Sequence, residues 1–376
     1  MQTVLVSGAS VAGLTLAHWL RRCGLAPTVV ERAPAVRPGG HAIDVRGVAL
    51  DVLDRMGLLG EARAARTRMR GMSMHDGDGN ELWRSTEMTH SSGRLDSDDI
   101  ELLREDLTAL LHRRIRAGDE AEFLFGDSVA ELEQTEGGVH VTFASGTRRT
   151  FDYVVGADGL HSGVRRLAFG PEADHLRHLG SHLAVFTTDN FLGLDNWQVW
   201  VQGESAGYCL YPVRDNTELR ATLGFMSESL DYDHRDTAQQ QSLLAQRMAS
   251  LGGDTSKLLD AMRTAPDFYF DAMAQIHMDG WTRGRVALVG DAGYCPSPLS
   301  GQGTSLALVG AYVLAEELGR SADPAVALPR YEERMRPYAA LNQALATENP
   351  GRGASEESLT LAKNAITLGD SEGSGV

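Results

Sequence analysis

Apolar residues open the chain as a short unbroken run, Val4-Leu5-Val6, and small residues follow from Ser7 to Ala12. Leu14, Leu16, Ala17 and Leu20 then recur at helical spacing as far as Gly24, and Thr28-Val29-Val30 forms a second apolar run ending at Glu31. Strand, glycine-rich turn, helix and strand in that order predict a parallel pair with a right-handed crossover. The pattern is helical over 47–72, with many Arg and Glu on the outer face, and again over 101–116. Residues 73–84 flank Asp76-Gly77-Asp78-Gly79 and predict an antiparallel hairpin. Residues 129–132 and 139–143 read as meander strands joined at Gly137-Gly138, and 153–156 and 285–289 as buried strands of the parallel kind. Between these lie further strands at 182–188, 197–202, 206–213 and 218–226, then helices at 237–250 and 256–263. A long helix is predicted from about 303 to 318 and a short one near 355–367, after the polar break 348–353. The final residues, 369–376, are expected to fray.

The α/β text is thus interrupted twice by β text. This predicts an α/β protein with a discontinuous Rossmann-like nucleotide-binding domain formed by 1–72, 95–180 and 280–350. An inserted antiparallel β-sheet domain, expected to hold the substrate, takes 73–94 and 181–279, and 351–376 supply a C-terminal helix and tail.

Composition narrows the classes. The 376 residues are 42% hydrophobic, 6% aromatic and 23% charged, which excludes wholesale disorder. There are 41 glycines but no triplet period, so they serve turns and close backbone approaches rather than collagen. With 35 basic against 51 acidic residues the net charge is -16, which argues against nucleic acid and anionic membranes as partners. No apolar stretch approaches the ~18 residues of a membrane span, and no basic leader with a long apolar run opens the chain. Cys23, Cys209 and Cys295 are odd in number and far apart, which speaks against a disulfide framework or zinc cluster and for a cytoplasmic location.

Residues 8–13 follow the dinucleotide fingerprint with one departure, Ser10 where a glycine would let the backbone approach a pyrophosphate. Serine is small and its hydroxyl adds a donor. Glu31 lies 23 residues after Gly8, where an acid accepts hydrogen bonds from a ribose, and Arg32 beside it is a further candidate contact. The helix opening near Val11, with Gly13 in its first turn, would offer free amides and its positive end to phosphate. The plain alternative, a glycine-rich turn with no ligand, does not account for strand, helix, second strand and terminal acid together.

The fingerprint does not separate NAD from FAD. Residues 155–165, Val-Gly-Ala-Asp158-Gly-Leu-His-Ser-Gly-Val-Arg165, resemble the Asp-Gly motif of the class A FAD-dependent aromatic monooxygenases, which share the para-hydroxybenzoate hydroxylase fold. Leu288-Val289-Gly290-Asp291-Ala292, followed by Pro296, Pro298 and Gly301-Gln302-Gly303, resembles that family's second FAD motif. Residues 37–44, Arg-Pro-Gly-Gly-His-Ala-Ile-Asp, are similar to a segment of the tetracycline-inactivating branch, which is grouped with polyketide-tailoring hydroxylases. The resemblance covers nearly the whole chain. It implies FAD as cofactor, a C-terminal bracing helix, and contacts to FAD from Arg104 (in Leu103-Arg104-Glu105-Asp106-Leu107), Asp158, Asp291, Pro298, Gly301, Gln302 and Gly303, with Asp44 near the flavin and Arg37 near NADPH. Physically, Asp291 at a strand end can accept from the ribityl chain, and a helix beginning at Gly303 would stabilise anionic reduced flavin. Their plain alternatives are a capping aspartate and, for Arg104, a pairing with a neighbouring carboxylate. Many relatives carry His after the Gly-Asp-Ala-Ala run, whereas this chain has Gly293-Tyr294.

The resemblance implies a monooxygenase. NADPH or NADH reduces FAD, dioxygen is trapped as a C4a-hydroperoxide, and an aromatic or polycyclic, polyketide-like small molecule is hydroxylated. No residue is assigned as a catalytic nucleophile. Tyr208, Tyr211, Arg220, Phe225 and Met226 are candidate substrate walls, although strand alternation turns some of them away. A flavin dehydrogenase or reductase on the same scaffold, a non-catalytic FAD or ligand binder, and a plain NAD dehydrogenase are the other readings. The family occurs as monomer and homodimer. Two weaker patterns carry less. His175, His178 and His182 have helix-like spacing, but Gly180 and Ser181 interrupt it, so no metal is expected. Trp197-Gln198-Val199-Trp200 has two residues between its tryptophans where the halogenase motif has one. The length leaves no room for the thioredoxin-like C-terminal domain of larger relatives.

Overall fold

The computed structural model describes residues 1–37, 39–89, 93–234, 236–349 and 353–369. Pro38 of the 37–44 segment, 350–352 of the polar break and 370–376 of the expected frayed end lie outside the described residues.

Two sheets organise the chain, and each draws on interleaved segments. In the first, Thr3–Ser7 lies between Ala26–Glu31 and Tyr153–Gly156, parallel to both. Glu122–Phe125 extends the sheet beyond Ala26–Glu31, and Val286–Leu288, with the antiparallel edge Thr282–Arg283, extends the other side. Val4, Leu5 and Val6 are buried because helices cover this sheet, which is why the opening strand reads as a continuous apolar run. Helix Val11–Arg22 packs on Arg104–Ala117 and on Gly303–Arg320. A three-stranded meander, Val129–Thr135, Gly138–Phe143 and Arg148–Phe151, stands beside it.

The second sheet has seven strands, in the order Tyr269–Ile276, Leu176–Asp189, Glu218–Met226, Ala206–Val213, Gln198–Gln202, Met72–Asp76 and Glu81–Ser85. All its pairings are antiparallel except Gln198–Gln202 with Met72–Asp76. One face is sealed by helices Thr237–Met248 and Thr255–Thr264 through Leu244, Met248, Leu258 and Met262. The other face looks onto the first sheet's domain.

Several elements depart from the sequence pattern. The helix expected over 47–72 is two, Val48–Arg55 and Leu59–Ala64, broken at Gly57, whose φ of +71° suits a helix terminus. The helix expected from 101 starts at Arg104, and Ile100–Leu103 pairs as a strand with Ala42–Val45. Strand Leu176–Asp189 begins six residues before 182 and is irregular between His178 and His182. Strand Tyr269–Ile276 and helix Pro324–Ala344 have no counterpart in the predicted elements. The helix holds Pro329 and Pro337 inside it, which disguised its period. Its start is well formed, with Pro324 in the first turn and the Asp323 carboxylate accepting from the Ala325 amide at 2.9 Å.

The last helix is Glu356–Lys363. Lys363 Nζ donates to Asp99 at 2.8 Å, and Asn342 Nδ2 donates to the Ala362 carbonyl at 3.0 Å. A Cβ on Gly47 (φ +53°) would lie 2.4 Å from the Lys363 carbonyl oxygen, so only glycine lets this helix seat.

Candidate active site

A cavity of about 2880 Å³ runs between the two sheets. Ordinary small-molecule pockets hold roughly 300–1,000 Å³, so a dinucleotide and a second ligand both have room.

At one end lies the turn after the first strand. Gly8 adopts φ +111°, and a Cβ there would sit 2.5 Å from the Ala157 carbonyl oxygen. A Cβ on Gly13 would sit 1.9 Å from the Gly8 carbonyl oxygen. Gly13 itself is behind the cavity wall: its role is to let helix and turn close up. Ser10 caps the helix by position but its hydroxyl accepts none of the first-turn amides, which leaves them open to an anion. Glu31 accepts from the Ala9 and Ala33 amides, both at 2.9 Å, and retains lone pairs for a ribose hydroxyl. Arg32 is exposed on the rim. Asp158 ties off its own turn, accepting from Ser162 Oγ (2.5 Å), Gly163 N (2.9 Å) and Val164 N (3.2 Å). Burial raises its pKa.

At the other end lies the turn that precedes helix Gly303–Arg320. Asp291 opens the one-turn helix Asp291–Tyr294, and a Cβ on Gly303 would lie 3.7 Å from its Oδ1. Burial raises the pKa of Asp291 as well. Gly301 takes a left-handed φ of +63°, whereas Gln302, an expected FAD contact, is fully buried behind the cavity wall, with both side-chain amide atoms unpartnered among the described residues. Pro298 and Gly303 line the cavity here. Asp44 accepts from Arg46 Nη2 at 2.8 Å. Burial outweighs that cation and brings Asp44 up to about 7. Among the described residues Arg104 pairs with no carboxylate. Its Nη2 donates to the Gly39 carbonyl at 2.7 Å, and burial followed by the nearby Arg37 lowers its pKa. Arg37 is exposed at the mouth. Burial and Arg104 together take His41 down to about 4, so it is neutral. Tight glycine turns whose added Cβ would collide with backbone, and a helix start with open amides, fit a dinucleotide such as FAD.

Strand alternation sorts the expected substrate walls. On Glu218–Met226, Leu219, Ala221, Leu223 and Phe225 alternate with Arg220, Thr222, Gly224 and Met226. Phe225 and Tyr208 belong to the apolar cluster under the helices and are structural, although the cavity reaches their edges. Tyr211 is on the cavity side, and its hydroxyl accepts from the Ala42 amide at 2.7 Å. Met226 is exposed in the mouth. Arg220 corrects the sequence expectation: it is not on the cavity wall. It donates to Glu105 (2.6 Å), Glu218 (3.0 Å) and the Gly40 carbonyl (3.3 Å), so its charge is spent between the domains.

The sequence reading missed the cavity face of strand Tyr269–Ile276, namely Tyr269, Asp271 and Met273. Tyr269 donates to Asp271 at 2.9 Å. His161, from the Asp158 turn, bridges Asp271 (3.1 Å) and Glu172 (2.9 Å), and Arg165 donates to Glu172 at 2.8 Å. These hydrogen bonds hold His161 protonated up to about 10. Burial opposes the Asp271 charge, but His161 and Tyr269 keep its pKa lowered. The His161 contribution to stability is therefore complete below its unfolded value of 6.5 and fades as pH rises toward about 10. The Asp271 contribution fades only in acid. His161→Gln is expected to destabilise the protein at pH 6 by on the order of 1 kcal/mol, because the pair is partly solvated, and by less at pH 10. Thermal unfolding at the two pH values checks this, and an equal loss at both would refute it.

The two weaker patterns pack into the sheet. His182 stacks between Phe225 and Phe270, where burial brings it down to about 4, and it meets His178 at 4.9 Å between ring centres. Trp197 Nε1 donates to Ser73 and Trp200 Nε1 to Gln198. Tyr294, the departure from the usual His, points away from the cavity. Its hydroxyl meets Tyr331 Oη at 3.0 Å, which donates to the Leu288 carbonyl at 2.9 Å, and it fills the space over Gly310.

Comparison with known proteins matches this geometry. A family model described as "FAD binding domain" covers residues 1–344. The chain is 52% identical over 373 residues to an uncharacterised protein of Mycobacterium tuberculosis, covering 98% of this chain and 100% of that one. It is 39% identical over 343 residues to a flavin-dependent monooxygenase of Legionella longbeachae, covering 90% and 86%. Among solved structures, the tetracycline destructase Tet(55) superposes with a TM-score of 0.87 at 37% identity, over 98% of this chain and 99% of that one. No helix among the described residues is long and apolar enough to cross a membrane. With the turn at Gly8, the acid at Glu31, the Asp158 and Asp291 motifs and these relatives in agreement, the chain belongs to the FAD-dependent monooxygenases, the class A flavin enzymes that insert one oxygen atom from dioxygen.

Proposed function

We propose that this enzyme hydroxylates an aromatic or polycyclic, polyketide-like small molecule, with NADPH or NADH as reductant. The observation that carries the reading is the cavity: beyond the dinucleotide end it continues along the β wall, past Val185, Trp200, Thr222, Tyr269 and Met273. A wall of mostly apolar and aromatic side chains with few polar groups suits a flat, largely apolar ligand. The likeness to Tet(55), a tetracycline destructase, supports a polycyclic substrate.

FAD, when bound, supplies the electron transfer and oxygen activation. The chain's own residues do the rest. The open amides at Ser10 and the Gly8 turn would hold the pyrophosphate, Glu31 the adenosine ribose and Asp291 the ribityl chain. The start of helix Gly303–Arg320 would stabilise negative charge on the reduced ring. Tyr269 gives its proton to Asp271, so only its oxygen lone pairs remain for a ligand hydroxyl or amine. The exposed Arg37 at the mouth is the cation best placed to meet a reduced nicotinamide dinucleotide. We assign the sheet of Met72–Ser85 and Leu176–Ile276 as the substrate-binding unit and the remainder as the cofactor-binding unit.

A panel of aromatic and polycyclic compounds should contain one that stimulates NADPH or NADH consumption and gains one oxygen atom from labelled dioxygen. Flavin-bound protein that oxidises a substrate without incorporating label would establish a dehydrogenase instead. Bound flavin with no stimulated consumption across the panel would count against catalysis on this substrate class.

A further inference from the structure

We propose that Asp44 is the proton acceptor coupled to reduction of the bound flavin: its buried carboxylate takes up a second proton when the ring becomes negatively charged. Asp44 stands on the short strand Ala42–Val45, in the cavity wall beneath the turn that starts helix Gly303–Arg320. A Cβ built on Gly301 would lie 3.8 Å from Asp44 Oδ2 and 3.6 Å from Arg46 Nη2, so the pair underlies the ring end of the cavity. The side chains of Asp44 and Arg46 are 9% and 8% exposed. Oδ2 is satisfied by Arg46, whereas Oδ1 is buried without a partner. Buried carboxylate oxygens are normally hydrogen-bonded, and one left without a donor calls for a ligand or a proton.

The surrounding charges favour the proton. Glu101 is the register partner of Asp44 on the neighbouring strand, and its Oε1 accepts from Thr67. Asp99 lies close by, paired with Lys363 from the last helix. Against these three carboxylates stand Arg46, Lys363 and the positive end of helix Gly303–Arg320, to whose Ser305 hydroxyl the Arg46 amide donates at 3.0 Å. Burial, then the carboxylates against Arg46, already place Asp44 at about 7 with no added charge. Hydride transfer brings two electrons and one proton to the flavin and leaves it with one negative charge. That charge raises the affinity of Asp44 for a proton, which comes from solvent. The balance is then two electrons and two protons for the holoenzyme, against two electrons and one proton for the flavin alone.

The test is the midpoint potential of the holoenzyme, followed spectroscopically from pH 6 to 9. For a two-electron couple each coupled proton contributes about 30 mV per pH unit. The wild type should slope at about 60 mV per pH unit above pH 7 and flatten below it, where Asp44 is already protonated in both redox states. Asp44→Asn should hold about 30 mV per pH unit across the range, and Asp44→Glu, which keeps a carboxyl, should keep the steep limb. A wild-type slope of about 30 mV per pH unit from pH 7 to 9, or a steep limb that survives in Asp44→Asn, would overturn the proposal. If the Asn variant loses its flavin, the wild-type slope and the Glu variant decide.

Discussion

Gly13→Ala is expected to purify as a folded but nearly colourless protein. The added methyl would meet the Gly8 carbonyl oxygen at 1.9 Å on one side and Val6 Cγ1 at 3.3 Å on the other. Neither neighbour is the flexible end of a side chain that can swing away. Gly8 is fixed by its own amide, which donates to the Val30 carbonyl at 2.8 Å, and by its packing on Ala157. The turn must open, and the amides at Ser10 then lose their aim at the pyrophosphate. Local strain of this kind costs roughly 3 kcal/mol, which converts to about a hundredfold in FAD affinity. The flavin-to-protein absorbance ratio and a fluorescence titration with FAD measure the loss, with far-UV circular dichroism as the control for folding. Full flavin occupancy would mean the turn has slack that the structure denies.

The second large effect is on stability. Glu105 holds three groups: Arg220 and Arg214, both at 2.6 Å, and the Gly39 amide at 2.7 Å. Arg220 is 2% exposed. Among the described residues, Glu105→Ala leaves this buried guanidinium with the half-solvated Glu218 and the Gly40 carbonyl. Breaking one side of a buried ion pair typically costs about 3–5 kcal/mol, and the Glu218 contact keeps this case near 3 kcal/mol. Urea unfolding should show it, and adding Arg220→Met to the Ala variant should restore part of the loss by removing the stranded charge. A loss under about 1 kcal/mol, or no recovery in the double variant, would show that the clamp is not a stabilising unit.

What could be read from the sequence follows from distance along the chain. The turn at Gly8, the acid at Glu31 and the Asp158 and Asp291 motifs are each contained in a short stretch, and their residue types are dictated by backbone geometry. Arg220 was misread because its partner Glu105 is 115 residues away. An arginine on a strand looks the same in sequence whether it faces a ligand or a carboxylate. Arg46 was passed over for a related reason: nothing local shows that its amide reaches Ser305. The strand carrying Tyr269, Asp271 and Met273 stayed hidden because polar residues face the cavity where alternation would have put solvent. Tyr208 and Phe225 lay on a correctly placed pair of strands, but alternation alone does not say which face meets the flavin.

The interleaving of the two sheets also sets a schedule for synthesis. The first sheet cannot close until Val286–Leu288 joins Tyr153–Gly156, and the second cannot close until Tyr269–Ile276 joins Leu176–Asp189. Both therefore finish within about twenty residues of one another, late in translation, although their first strands emerge near the beginning. For most of its time on the ribosome the nascent chain carries two unfinished sheets with open edges. Fragments ending before residue 269 should thus be insoluble whichever domain they were meant to represent, and recombining this enzyme with relatives by simple end-to-end exchange would cut through both sheets at once.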